Sequence, residues 1–110
     1  MKKTTINEFD APLVVNNPMF SIQSDEYLDQ VMINKIIVLP LNHIQGNIEK
    51  KAARDSVIIV LSGSGSMEVN ESKVQITAGD VISVKASETF TITNETLDSS
   101  IQFISLLSKK

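Results

Sequence analysis

From Val57 onward the chain carries a turn signal about every ten residues, and what lies between is too short for helices. Val57-Ile58-Ile59-Val60-Leu61 is a continuous apolar run, closed by Ser62-Gly63-Ser64-Gly65-Ser66, which reads as a turn. Met67 and Val69 then alternate with polar neighbours, Asn70-Glu71-Ser72 turns, and Val74 and Ile76 alternate again. Ala78-Gly79-Asp80 leads into Val81-Ile82-Ser83-Val84, and a polar break at 85–88 precedes Thr89-Phe90-Thr91-Ile92-Thr93-Asn94. That last stretch has the period of two expected of a strand with one face buried. Glu95 to Ser99 turns once more before a final strand from Ile101 to Leu107. Such punctuation predicts an all-β sandwich or barrel and argues against alternating strands and helices.

The first half is less regular. Residues 1–25 read as a lead-in arm with one or two edge strands, turning at Asn16-Asn17-Pro18, because a residue before proline avoids the α region. Val31 to Leu39 forms a longer strand that ends at Pro40, which has no donor for a ladder. Asn47 to Asp55 is the one charged segment and reads as a surface loop or an edge strand. No repeat, linker or low-complexity tract interrupts the 110 residues, so the expectation is one domain with its barrel over 31–107.

Composition agrees with strands. Isoleucine and valine supply 24 residues, and branched side chains are stiff and pack well on a pleated surface. Composition also closes off functions. A net charge of −3 gives no basic field for nucleic acid or anionic lipid. Without cysteine there is no thiolate zinc site, disulfide framework or cysteine nucleophile. No apolar run is long enough to span a bilayer as a helix, and the N-terminal residues lack the apolar region of a signal peptide, so a cytoplasmic address is expected. The glycine-rich turn at Gly63 lacks the Gly-Lys-Ser/Thr of a phosphate loop.

The segment Val57 to Asn94 resembles the cupin superfamily, small double-stranded β-helix barrels of the jelly-roll kind. The family's second motif runs glycine, five residues, proline, any residue, glycine, two residues, histidine, three residues, asparagine. It falls by spacing on Gly79, Lys85, Ser87, Phe90 and Asn94. The first motif's closing glycine looks like Gly63, which puts the motif glutamate at Ser56 and its two histidines at Lys50 and Ala52. Opening instead on Gly46 moves the histidine positions to Ala52 and Arg54, and a four-residue spacer moves them to Glu49 and Lys51. None of these registers supplies the family's ligands. A divalent ion needs imidazole and carboxylate donors at about 2.0–2.2 Å, which alanine, serine and phenylalanine do not offer. The resemblance therefore implies the fold without the family's metal, and no cofactor is expected.

Six residues are candidates for a binding site. Lys50 stands at a former ligand position, where an inward ammonium would bind a carboxylate or phosphate; the plainer role is a rim lysine with a buried stem. Phe90 and Ile92 share a face, with Met67 as company, and would either fill the core or line an apolar pocket. His43, the sole histidine, and Tyr27, the sole tyrosine, are the remaining two. His43 reads as a surface-loop residue and Tyr27 as a strand residue with its hydroxyl in water. The expectation is a metal-free, non-catalytic domain that binds a small apolar or acidic molecule or acts as a dimeric regulatory module. The alternative is a metal-independent isomerase or lyase using His43 or Tyr27 with a lysine. A divergent metal site from His43, Glu49 and Asp55 stands third. Two strands, 36–39 and 57–61, are apolar on both faces, so their outer faces need cover; a homodimer is expected to provide it.

Overall fold

The computed structural model describes residues 3, 5–9, 11–27 and 31–108, with only the backbone of Asn7, Glu26 and Tyr27. Ten strands follow a single 3-10 turn at Ile6–Glu8: β1 (Leu13–Asn16), β2 (Phe20–Tyr27), β3 (Val31–Val38), β4 (His43–Gly46), β5 (Ser56–Ser62), β6 (Ser64–Val69), β7 (Ser72–Thr77), β8 (Val81–Val84), β9 (Phe90–Thr93) and β10 (Ile101–Ser108). Two antiparallel sheets face each other, one ordered β1-β2-β3-β10-β5-β8 and the other β4-β9-β6-β7. Strands that are neighbours in sequence often lie in different sheets, which is the jelly-roll arrangement that the cupin resemblance implied. No helix among the described residues is long and apolar enough to cross a membrane.

Local chemistry sets the turns. Asn70 and Glu71 both hold positive φ, 50° and 71°, giving the two-residue hairpin between β6 and β7 the twist that matches its strands. Gly63, at φ 85°, is the single residue between β5 in the large sheet and β6 in the small one. The stretch Ser62 to Ser66, read from sequence as a turn, is therefore mostly strand: β5 ends at Ser62 and β6 begins at Ser64. Serine and glycine composition suggested a loop, but the ladder from Ser64↔Thr77 to Val69↔Ser72 keeps the segment extended.

Period-two alternation fixes which residues fill the space between the sheets. Ile58 and Val60 of β5, Ile101 and Phe103 of β10, Val38 of β3, Met67 of β6 and Ile92 of β9 are almost wholly buried. Burying each such side chain stabilises the fold by roughly 1.5–3 kcal/mol relative to exposure. Val74, the cross-strand partner of Met67, is half exposed because β7 is the outer strand of its sheet.

The N-terminal arm is more than an edge. β2 pairs along its whole length with β3, from Phe20↔Val38 to Tyr27↔Val31, and is an interior strand of the large sheet. Before it, Phe9 is 6% exposed, and Gln23 Nε2 donates to the carbonyls of Phe9 (2.8 Å) and Ala11 (3.1 Å). Lys35 is buried on β3, and its Nζ donates to the Ile6 carbonyl at 2.9 Å. This arm thus covers part of the large sheet's outer face, with a lysine ammonium spending its charge on a backbone acceptor.

Asn94 ties the barrel together. Its side chain is fully buried; Nδ2 donates to the Val38 carbonyl (3.0 Å) and the Ser99 carbonyl (2.6 Å). Its Oδ1 accepts from the Thr96 amide (3.0 Å) and hydroxyl (2.7 Å). The motif asparagine is therefore a brace between β3, β9 and the loop that enters β10.

Candidate functional site: a cavity between the sheets

The large sheet does not pack dry against the small one everywhere. A cavity of about 190 Å³ remains between them. The large sheet supplies Ile22 from β2, Asn34 and Ile36 from β3, Ser56 from β5, and Phe103, Ser105 and Leu107 from β10. Facing it are Ile44 and Gly46 of β4 and Phe90 of β9. Gln45, Asn47 and Ala52 complete the lining, and the cavity reaches solvent where Gln45 and Ala52 are exposed.

The cavity has a polar strip on one wall. Asn34 and Ser105 are direct cross-strand partners on β3 and β10, so their side chains share a face. Ser56 follows on β5, opposite Leu107. Ser56 and Ser105 are 7% and 5% exposed. The Asn34 carboxamide oxygen is buried with no hydrogen-bond partner, the one such side-chain atom among the described residues. An orphaned polar atom next to open space is costly, and a bound molecule or water is the natural partner.

The other wall is apolar and shaped by a glycine. Gly46 and Phe90 are direct partners between β4 and β9. A Cβ at position 46 would land on the Phe90 ring, so the ring lies across the bare glycine backbone. Gly46 is therefore what lets a half-buried phenylalanine occupy this face of the cavity.

Asn47 organises the rim. At φ 59° its Nδ2 reaches the carbonyls of Arg54 (3.3 Å), Lys85 (3.1 Å) and Glu88 (3.0 Å), while its Oδ1 accepts from the Arg54 amide (3.1 Å). These bonds tie the charged loop at 47–55 to the loop at 85–89. The charged segment is a turn and loop, held at the cavity mouth rather than free over the surface.

Of the residues singled out from sequence, Phe90 lines the cavity. Met67 and Ile92 are direct partners and lie buried in the adjoining core. Lys50 is exposed at the rim, where Nζ donates to Thr89 Oγ1 at 3.1 Å and reaches the Ser87 carbonyl at 3.5 Å; it is not part of the cavity lining. His43 is exposed, as expected, but begins strand β4 rather than sitting in a loop. Its pairing with Thr93 across the β4–β9 ladder is what extends it. The Tyr27 side chain lies outside the described residues. Asn34, Asn47 and Ser105 were missed, although an asparagine inside the apolar run Val31–Val38 was a signal, since strands disfavour it.

The donor set does not fit the divalent ion that metal-binding cupins hold. The positions aligned with its ligands place Ala52, Ser56 and Phe90 around the cavity and Lys50 outside it. No group of three or more His, Asp or Glu side chains that could hold a metal ion occurs among the described residues. Glu49 is exposed, and Asp55 Oδ1 accepts the Ala86 amide at 2.8 Å.

No protein-family model matches this chain, and no curated protein matches it by sequence. Solved structures do match by shape. An uncharacterized conserved protein with a double-stranded beta-helix domain from Klebsiella pneumoniae superposes with a TM-score of 0.76 at 14% identity, over 98% of this chain and 90% of that one. An ectoine synthase from P. lautus gives 0.75 at 11% identity, over 98% and 78%. A cupin-2 domain of an XRE family transcriptional regulator from Enterobacter cloacae gives 0.69 at 13% identity, over 83% and 97%. Together with the two facing sheets, these likenesses show that the chain has the double-stranded β-helix fold found in cupins.

Proposed function

We propose that this protein is a non-catalytic cupin-fold domain, without a metal centre, that binds a small molecule between its sheets. The observation that carries this reading is the 190 Å³ cavity, with an apolar wall facing a polar strip that holds an orphaned carboxamide oxygen. One fold neighbour is a synthase and another belongs to a transcriptional regulator, so the scaffold hosts both chemistry and binding. Of the residues that the isomerase or lyase alternative calls on, His43 and Lys50 do not line the cavity, and the Tyr27 side chain lies outside the described residues. A cytoplasmic setting remains part of the reading.

An amide NMR titration with a panel of small aromatic fragments tests it. Fragments that bind are expected to shift the amides of Ile36, Gly46, Ser56, Phe90 and Ser105. Shifts confined to surface loops would sink the reading.

A homodimer belongs to the same proposal. The outer face of the large sheet carries Val57, Ile59 and Val81 side by side through the β5–β8 register, with Val57 36% and Val81 64% exposed. β8 is also an edge strand, with unpaired backbone groups beside that apolar strip. Light scattering is expected to give a dimer mass, reduced to the monomer by Val81→Lys. A monomer for the unaltered chain at micromolar concentration refutes the pairing.

A further inference from the structure

The cavity's lining narrows what can occupy it; this step rests on the cavity-binding reading above. Every lining side chain is uncharged, and Lys50 is engaged outside with Thr89 and Ser87. An anion placed inside would be desolvated with no cation to pair with, and a cation would find no carboxylate. A wholly apolar molecule would leave the Asn34 oxygen without a partner and set the hydroxyls of Ser56 and Ser105 against hydrocarbon. Size narrows it again. An apolar cavity of about 150 Å³ accepts benzene, so this one suits roughly seven to ten non-hydrogen atoms.

We propose that the cavity selects a small neutral molecule bearing a hydroxyl or amide, whose polar end meets Asn34 and Ser105 and whose apolar body lies against Phe90. Asn34 is suited to this because turning its carboxamide by half a revolution exchanges acceptor and donor at little steric cost. It therefore meets either half of a hydroxyl. Ser105, its cross-strand partner, supplies a second rotatable hydroxyl on the same face. Phe90, opposite, offers an apolar ring whose position Gly46 makes possible.

Three probes of similar size separate the possibilities: phenol, toluene and benzoate, each titrated by calorimetry and by amide NMR. The unaltered protein is expected to bind phenol at least as tightly as toluene, although phenol costs more to remove from water, and to bind benzoate least. In Asn34→Leu, a change of similar volume, the phenol-to-toluene affinity ratio is expected to fall about ten-fold, toluene becoming the better ligand. Ser105→Ala, a smaller change to the same wall, is expected to lower the ratio in the same direction. Benzoate binding as tightly as phenol overturns the proposal. So does a phenol-to-toluene ratio that neither substitution moves, even though cavity binding as such would then survive. If none of the three probes binds in the cavity at millimolar concentration, the cavity-binding reading itself fails and takes the selectivity with it.

Discussion

Replacing Asn94 with alanine removes four side-chain hydrogen bonds at once, two donated to the carbonyls of Val38 and Ser99 and two accepted from Thr96. The groups left behind differ in their access to water. Val38 is fully buried, so its carbonyl loses this partner without water to replace it, at a cost of about 1–3 kcal/mol. Ser99 is exposed and Thr96 partly so; water can reach them, and their lost bonds cost about 0.5–1 kcal/mol each. The total is about 2.5–6 kcal/mol, a large share of the 5–15 kcal/mol typical of a whole domain. Asn94→Asp serves as the near-isosteric control. It keeps the oxygen that faces Thr96 but aims a second oxygen, instead of an N–H, at two carbonyls, so it is expected to destabilise at least as much as alanine at neutral pH. Urea unfolding measures both, and an unchanged m-value shows that the lost midpoint is lost stability. A cost below about 1 kcal/mol for Asn94→Ala, or an Asn94→Asp protein as stable as the original, would refute the brace.

Two glycines with positive φ are expected to respond unequally to alanine. At Gly79 the added Cβ meets nothing within 4 Å, so only the backbone cost of about 1–2 kcal/mol applies. At Gly63 the Cβ also strikes the Ser100 carbonyl, and urea unfolding is expected to show at least ~1 kcal/mol of further loss; equal losses contradict the close approach. Gly46→Ala is expected to push the Phe90 ring from its seat at a cost of about 1–3 kcal/mol. Combined with Phe90→Ala the two losses should fall short of their sum by at least ~0.5 kcal/mol, because the clash has gone; strict additivity would show that ring and glycine do not meet.

Most of the strands were legible in the sequence, though not β4, whose His43 read as a loop residue. Period-two alternation at Phe90–Thr93 fixes which side chains face inward, because a strand that slips by one residue exposes its whole apolar set, whereas the continuous apolar run Val57–Leu61 marks a strand without choosing its inner face. Turn chemistry at Asn70-Glu71 and Gly63 is equally local, and the motif spacing found Asn94 and the cavity-facing Ser56 and Phe90. Where strands from distant parts of the chain meet was decided only in three dimensions. Asn34 looks like a flaw in an apolar strand until β10 sets Ser105 beside it and the small sheet stops short of filling the space. Lys50 occupies a ligand position by spacing, yet its loop turns it to the rim, where Thr89 offers a partner in water instead of a costly buried charge. Alternation tells each residue which side of its own sheet it faces; whether the opposite sheet meets it with a side chain or leaves a void depends on the packing of both.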